Sequence, residues 1–379
     1  MRPRGVASLP YGRPMEHRLT RQEARRIAVR AQLLAAPRPD DLLAVVRHLG
    51  LLQVDLTAAV APSADLVCWT RLGSRYDPAG LDRLLDERSL VEYQGVLRPA
   101  EDLALFRADM ADWPGRGPLS DGEEDVRDWL ETNDVCRDDI LEVLRVEGPL
   151  PARALPDTCV VPWRSSGWNN GRNVQRMLDF MERRGEVAVS SREGRERLWD
   201  LAHRVQPDGE VVPAEEARLA RDQRRLRALG IARSKGPYCG VEALDAGQAG
   251  EPAVIEGVRG TWRVDPEQLG QPFRGRAALL SPLDRLVMDR RRMAEIFDFD
   301  YQLEMYKPVA RRRWGYWAMP ILYGDRLVGK LDATADQAAG VLRVHAVHED
   351  EPFTRTQRAA VDRELRDLAR WLDLDLAVE

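Results

Sequence analysis

Apolar residues recur at the spacing of one helix face over the eight positions before Gly50, a residue suited to end a helix. The next five residues are predicted to be extended and half-buried. Because alternate side chains of an extended chain point to opposite sides, Leu52 and Val54 should face the core and Gln53 and Asp55 should project together. A carboxamide beside a carboxylate can position a water molecule and stabilise a cation. The alternative is a polar surface pair next to a helix cap.

Residues 133–204 carry a second pattern, three helices followed by a β-hairpin, which is typical of a winged helix. In that module the third helix reads a DNA groove and the hairpin forms the wing. The predicted helices are 138–146, 151–155 and about 171–184, and the predicted strands are 186–190 and 197–201. Arg192 and Arg195 in the wing turn are candidate DNA contacts. The alternative is a winged helix that serves only in protein packing.

The remaining pattern predicts an α+β fold of tandem winged-helix modules followed by a small C-terminal β-barrel. Two helices are expected within 17–49, further helices at 78–89 and 99–113, and an acidic linker at 115–122. A charged helix at 214–229, a helix at 239–245 and a strand pair at 253–264 suggest a third module. Strands at 314–322, 327–332 and 341–347 precede a final helix at 354–375. The predicted domains are 17–115, 123–210, 211–270 and 271–379.

Composition narrows the class of protein. The 379 residues are 44% hydrophobic and 31% charged, as in a globular protein without membrane spans. The net charge of −5 argues weakly against nucleic-acid binding, but the acidic excess lies in residues 101–140 and leaves room for basic faces elsewhere. The N-terminus lacks the apolar segment of a signal peptide, and the four cysteines show no CxxC spacing. We therefore expect a cytoplasmic protein with no metal and no cofactor.

Several stretches of the chain together resemble the YcaQ/AlkZ family of bacterial DNA glycosylases. The first, Gln53-Val54-Asp55, is similar to the glutamine-x-aspartate form of the family's catalytic motif. The others are 62–67 and 71–73, the predicted winged helix at 133–204, and the segments 280–287, 289–292, 299–301, 304–308 and 313–316. The chain departs from the family at 94–98, where we expect a tryptophan and a histidine-containing stretch. That departure puts the range of lesions in doubt.

The resemblance implies a monofunctional DNA glycosylase for purines alkylated at position 7, including those in interstrand crosslinks. Its partner would be double-stranded DNA carrying alkylated or crosslinked bases, bound by a monomer. Asp55 would stabilise an oxocarbenium-like sugar and activate water, and Gln53 would hold that water or the sugar. Lys235 is the nearest lysine in the sequence, so a Schiff-base lyase is disfavoured. The alternative is a non-enzymatic winged-helix regulator, or a lesion-binding relative without activity.

Clusters of arginine in the C-terminal part are candidate phosphate contacts. The candidates are Arg290, Arg291, Arg311, Arg312 and Arg326, the last in a predicted hairpin turn that would suit a probe of the duplex. The alternative for the paired clusters is a charged face balanced by neighbouring aspartates. For the hairpin it is a plain turn.

Overall fold

The computed structural model describes residues 16–115, 117–164 and 172–378, and within them the fold is mixed α/β with three sheets. The helices are α1 Arg21–Ala31, α2 Leu42–Leu49, α3 Ser63–Leu72, α4 Ala79–Asp86, α5 Arg107–Asp112, α6 Asp121–Thr132, α7 Asp134–Glu147, α8 Asn173–Arg183, α9 Ala202–Val205, α10 Ala214–Leu229, α11 Arg285–Met288, α12 Arg290–Phe297 and α13 Arg355–Trp371.

The strands range from two to eleven residues in length. They are β1 His17–Leu19, β2 Leu52–Gln53, β3 Leu90–Tyr93, β4 Val96–Pro99, β5 Leu150–Pro151, β6 Val187–Glu193, β7 Glu196–Leu201, β8 Ile231–Arg233, β9 Glu251–Ile255, β10 Val258–Val264, β11 Ala277–Leu279, β12 Met319–Tyr323, β13 Arg326–Asp336, β14 Val341–Glu349 and β15 Asp375–Val378. None of the described helices is long and apolar enough to cross a membrane.

Helix α2 begins and ends at the residues that its sequence predicts. The Asp41 side chain accepts a hydrogen bond from the Ala44 amide at the first turn. Gly50 closes the helix in the left-handed conformation, with φ of 75°, which glycine adopts without strain. The chain then runs through buried Leu51 into β2, so this cap sets the direction in which Asp55 leaves the core.

A six-stranded sheet in the order β2-β4-β3-β6-β7-β5 contains strands from both the first and the second predicted domain. The link between the two is the antiparallel pairing of Glu92 in β3 with Val189 in β6. Helix α7, a 3-10 turn at Ala152–Ala154, α8 and the hairpin β6–β7 follow one another in the order predicted for the second module. The sheet therefore places the segment around Asp55 in the same layer as the hairpin.

The other two sheets bring remote parts of the chain together. The four-stranded sheet has the order β1-β9-β10-β8, in which β1 pairs in parallel with β9 more than 230 residues later. The C-terminal sheet has the order β11-β12-β13-β14-β15 and is a curled half-barrel, with β11 and β15 as open edges. The predicted small β-barrel is therefore found as a half-barrel, in which no described strand joins the two edges.

Three further predictions need correction. Residues 239–245 form no helix but a loop with isolated bridges, because Gly240 lies near the start of the segment with φ of 93°, which no right-handed helix allows. The strand predicted at 314–322 begins only at Met319. The final helix ends at Trp371 and gives way to β15, which completes the sheet through parallel pairing with β14.

The largest hydrophobic core joins the beginning and the end of the chain. Trp69 of α3 and Leu52 of β2 share it with Met319 and Leu331 of the C-terminal sheet and Leu368 of α13, all of them buried. A fully buried ion pair between Arg71 and Asp284 crosses the same boundary, with one nitrogen–oxygen distance of 3.1 Å. The segment that carries the candidate catalytic residues is thus supported by the C-terminal sheet.

Candidate active site

Asp55 lies just beyond the end of β2, where the chain turns. The Val54 amide donates to the Gly95 carbonyl at 2.9 Å, which is the last bond to the neighbouring hairpin. The Thr57 amide then donates to Oδ1 of Asp55 at 2.7 Å, and the Ser63 amide donates to the Asp55 carbonyl at 3.2 Å. This Asx-type turn holds the half-buried carboxylate in one orientation.

The Asp55 carboxylate forms part of the wall of a cleft of about 500 Å³, which we call the Asp55 cleft. Its lining comes from the turn after β2, the 3-10 turn, α8 and the hairpin β6–β7. The residues are Val54, Asp55, Leu56, Thr57, Ala152, Gln175, Arg192, Arg195, Glu196, Arg197 and Trp199. The structure therefore brings Asp55 together with both predicted wing arginines, a juxtaposition that separate sequence motifs could not establish.

Gln53 is placed differently from Asp55. It is half-buried in β2 opposite Val96 and is not among the residues that line the Asp55 cleft. Val54 lines the cleft instead, because regular strand geometry ends at Gln53 and alternation no longer governs the residues after it. The shared role of Gln53 and Asp55 stays a prediction.

The arginines of the hairpin β6–β7 differ in how their charges are balanced. Arg192 makes a bidentate pair with buried Glu92 of β3, with distances of 3.0 and 2.7 Å, and Arg197 pairs with the same carboxylate at 2.9 Å. Arg195 is exposed at the turn of this hairpin and donates to the Leu56 carbonyl at 2.5 Å. A DNA contact from Arg195 stays a prediction, whereas Arg192 fixes the hairpin to the sheet.

Gln175 is a cleft residue that the sequence did not single out. It lies on α8, and its amide nitrogen donates to Asp179 one turn later at 3.2 Å, which leaves its amide oxygen for another donor. Burial is the main cause that raises the pKa of Asp179. The signal that could have found Gln175 is its place in the first turn of the helix predicted to read the groove.

The arginines of α12 have mainly structural contacts. Arg290 is half-buried, with its guanidinium 4.6 Å from the centre of the Tyr301 ring, and burial lowers its pKa. Arg291 is exposed and pairs with Glu295 at 2.9 Å. Arg292 is buried and donates to the carbonyls of Ile231 and Leu229. A DNA contact from Arg290 or Arg291 stays a prediction, and the paired state of Arg291 agrees with a balanced charged face.

Arg311 and Arg312 lie in and just after a 3-10 turn on the surface. Arg311 is exposed, and Arg312 donates to the Lys307 carbonyl at 3.0 Å and stacks on Tyr316 with 5.0 Å to the ring centre. A phosphate contact from either arginine stays a prediction.

Arg326 is exposed in the β12–β13 hairpin, but the turn itself is held against the protein. The preceding Asp325 lies 3.7 Å from Arg25 and 3.6 Å from Arg26 of α1, and the Gly324 amide donates to the Arg276 carbonyl at 3.0 Å. These contacts favour a packed turn over a protruding probe. A DNA contact from Arg326 stays a prediction.

The departure at 94–98 forms the tight turn between β3 and β4. Gln94 and Gly95 have φ angles of 52° and 72°, as in a two-residue hairpin turn with both central residues left-handed. The Gln94 amide donates to buried Glu182 of α8 at 3.1 Å, and burial raises the pKa of Glu182 to about 7. The departure therefore anchors the hairpin to the α8 helix beside the cleft.

The fold also brings together two cysteines that are far apart in the sequence. Ligand atoms of Cys136, Asp157 and Cys159 lie within 4.8 Å of one another. Asp157 is engaged by the Asn173 amide at 3.1 Å, and a tetrahedral zinc site would need a fourth ligand. We assign no ion to this group.

Two comparisons place the chain among known proteins. The family model described as DNA glycosylase AlkZ-like matches residues 46–371. A solved structure, the DNA glycosylase AlkZ of Streptomyces sahachiroi, superposes with a TM-score of 0.64 at 16% identity and covers 96% of this chain and 100% of its own. At that identity the likeness shows a common fold, while the family match covers most of the sequence. The chain belongs to the AlkZ-like DNA glycosylase family, and it is a DNA glycosylase whose substrate is DNA.

Proposed function

We propose that this glycosylase is monofunctional and hydrolyses the N-glycosidic bond of purines alkylated at position 7, including those joined in interstrand crosslinks. The observation that carries the proposal is that Asp55 lines a cleft together with the arginines of the hairpin β6–β7. One nucleotide in the cleft could then meet the Asp55 carboxylate at its sugar and the guanidinium groups at its phosphates. Family membership favours the enzyme over the alternative of a non-enzymatic regulator.

Hydrolysis of this bond requires few catalytic groups, because alkylation at position 7 already makes the purine a good leaving group. A purine alkylated at position 7 carries a positive charge, so it leaves with the electrons of the glycosidic bond and needs no general acid. The sugar then becomes oxocarbenium-like, and water attacks its anomeric carbon. Thr57 occupies Oδ1 of Asp55, so we assign to Oδ2 the stabilisation of that cation and the acceptance of the water proton.

The amides near Asp55 divide the supporting roles in the proposal. Gln53 would hold the sugar or water as the catalytic motif implies, and Gln175 lines the cleft itself. None of the described residues that line the Asp55 cleft is a lysine, which supports hydrolysis without a Schiff base.

We further propose how the duplex is held. Within the domain 123–210, helix α8 would act as the groove reader of a winged helix and β6–β7 as its wing. A crosslinked base cannot leave the stack freely, so the lesion would be reached within the duplex and not by complete flipping. A single chain already supplies all these contacts, so we expect a monomer of 42.9 kDa.

The test of the catalytic proposal is base release from duplex DNA that contains a single 7-methylguanine, compared between the wild type and Asp55→Asn. We expect release by the wild type and a loss of at least about a hundredfold in the variant, because the amide can neither offset the cationic sugar nor accept a proton. Duplex affinity serves as the control and should change little. Equal release by both proteins would remove Asp55 from the reaction.

The crosslink part of the proposal has a separate test. A duplex joined by a nitrogen-mustard crosslink between two guanines should be unhooked by the wild type, with the products resolved on a denaturing gel. Release of 7-methylguanine without unhooking would restrict the enzyme to monoadducts.

A further inference from the structure

A second cavity, of about 380 Å³, lies between the β3–β4 turn, helix α10 and the loop that follows β8. It shares no lining residue with the Asp55 cleft. Small-molecule pockets usually measure roughly 300–1,000 Å³, so the volume suits a small organic ligand. We call it the arginine cavity, and the lining residues that matter below are Arg98, Phe106, Arg183, Tyr238 and Glu242.

The lining of the arginine cavity is rich in charge and positive on balance. Seven of its residues are arginines and five are aspartates or glutamates. The carboxylates already have partners within the protein. Glu242, for example, pairs with Arg285 at 2.5 Å and with Arg225 at 3.3 Å, and Asp109 pairs with Arg221 at 2.6 Å. Two of the arginines, Arg98 and Arg183, therefore have no carboxylate partner among the described residues.

Arg98 is the more informative of the two because it is buried. Its residue is only 8% exposed, and its Nε atom is buried without a hydrogen-bond partner. One nitrogen donates to the Val241 carbonyl at 3.3 Å, and the guanidinium lies 4.8 Å from the centre of the Phe106 ring. Glu242 and Asp102 favour its charge from a distance, but Arg98 makes no ion pair with a described residue. A buried guanidinium without an ion pair is costly, and an anionic ligand in the cavity would offset that cost. Its planar donor fork also matches a phosphate.

The cavity also offers an aromatic surface for a planar ring. Phe106 is already covered by two guanidinium groups, that of Arg98 and that of Arg221, which lies 4.9 Å from the centre of the Phe106 ring. Tyr238 lines the cavity while remaining 61% exposed, as expected for a residue at the entrance. A phosphate near Arg98 with an attached planar base near Tyr238 is the chemistry of a nucleotide.

We propose that the arginine cavity binds a nucleotide through its phosphate, with Arg98 contacting the phosphate and Tyr238 the base. This site is additional to the Asp55 cleft and does not depend on the glycosylase reaction. The phosphate could come from a free mononucleotide or from the backbone of bound DNA.

Isothermal titration of the full chain with guanosine 5′-monophosphate tests the proposal. We expect saturable binding to the wild type, at least tenfold weaker binding to Arg98→Gln, and no binding of guanosine, which lacks the phosphate. Arg370→Gln, an exposed arginine paired only with Asp367 at 3.3 Å, is the matched control and should bind as the wild type does. If Arg98→Gln fails to fold, Tyr238→Ala at the exposed entrance serves in its place. The proposed nucleotide site would be overturned if the wild type showed no binding heat with guanosine 5′-monophosphate. It would also be overturned if Arg98→Gln and Tyr238→Ala both bound this nucleotide with the affinity of the wild type.

A competition experiment identifies the source of the phosphate. If the site takes DNA backbone, an unmodified duplex should displace the mononucleotide and Arg98→Gln should weaken duplex binding. If it takes free nucleotide, both proteins should bind the duplex equally. Base release by Arg98→Gln from the 7-methylguanine duplex is measured in parallel, so that failure of this site and failure of the proposed catalysis can be told apart.

Discussion

Charged residues around the Asp55 cleft fall into those that hold the protein together and those that remain available to a ligand. Arg192 and Arg197 are committed to Glu92, whereas Arg195 meets only a backbone carbonyl and is exposed. Exposed guanidinium groups contribute to DNA affinity by releasing counterions from phosphates, and a buried pair cannot do so. We therefore expect the arginines of this hairpin to differ in DNA binding according to their partners and not according to their shared place near the turn.

Arg195→Gln should weaken binding to an unmodified duplex and reduce the slope of log affinity against log salt concentration by about 1, because one phosphate contact is lost. The measurement is fluorescence anisotropy at several salt concentrations. Arg145→Gln, an exposed arginine of α7 paired with Glu142, is the control and should leave the slope unchanged. An unchanged slope in Arg195→Gln would exclude it as a phosphate contact.

Glu182 should make stability depend on pH in a direction unusual for a carboxylate. Burial raises its pKa from 4.5 to about 7, so the folded state binds a proton that the unfolded state has released between these values. The free energy of unfolding should therefore fall as the pH rises from 4.5 to about 7. Glu182→Gln should remove this pH dependence. Above pH 7 the free energy of unfolding of the variant should exceed that of the wild type by roughly 1–3 kcal/mol. Urea unfolding of both proteins at pH 5 and pH 8 measures this. The same change in the free energy of unfolding between the two pH values in both proteins would contradict the prediction.

At the scale of elements, the two-residue turn between β3 and β4 connects the cleft to α8. Gly95 has a φ of 72°, its carbonyl accepts from Val54, and an added Cβ would lie 3.5 Å from Arg197. The turn therefore needs a residue that tolerates the left-handed region, and its backbone positions the residues just before Asp55.

Gly95→Ala should lower the free energy of unfolding by roughly 1–2 kcal/mol, because an alanine in the left-handed region is strained. Gly122→Ala is the matched control of opposite sign. Gly122 lies within α6 with no atom within 4 Å of an added Cβ, so alanine should stabilise that helix by about 0.5–1 kcal/mol. Thermal unfolding of both variants measures these effects. A shift of the unfolding temperature in the same direction in both variants would contradict the prediction.

The sequence predicted the elements whose signals are local. Hairpin β6–β7 and helix α10 were found because their alternation, helical period and breakers lie within a few residues of one another. Strands β1 and β15 were missed because each has three or four residues and is stabilised by parallel pairing with a remote strand. The false helix at 239–245 has a local cause instead, because Gly240 within it adopts a φ of 93°.

The candidate site was predicted in part for the same reason. Asp55 and the arginines of the hairpin each lie in a recognisable sequence pattern, so the sequence singles out each of them separately as a candidate. Gln175 lies in no such pattern, and only the folded arrangement of α8 brings it to the same cleft as the turn after β2. The position of Gln53 depended on where the strand ends, which is the least predictable feature of a short element.

At the scale of the whole molecule, the N-terminal segment and the C-terminal sheet behave as one folding unit. They share the largest core, and the buried Arg71–Asp284 pair joins α3 to the residue that caps α11. Removal of one partner leaves the other as an uncompensated buried charge.

Asp284→Ala should therefore lower the free energy of unfolding by about 3–5 kcal/mol and reduce base release, since the support of the Asp55 segment is lost with it. Glu142→Ala, which breaks the exposed pair with Arg145, should cost less than about 1 kcal/mol. Urea unfolding compares the two variants. A similar small cost for both would show that the buried pair does not join the two regions energetically.

The double ion pair of Glu92 with Arg192 and Arg197 has a consequence for how damage is found. Because two ion pairs and strand pairing already tie the hairpin to the central sheet, we expect the Asp55 cleft to keep its shape when DNA binds. On that expectation the duplex would have to widen or bend to fit the cleft. An intact helix resists such deformation more than one whose stacking is already disturbed by a lesion. In such a search the enzyme would distinguish base pairs by how easily the duplex deforms at each of them. Cleavage of the glycosidic bond would follow only where the DNA can be deformed to fit the cleft.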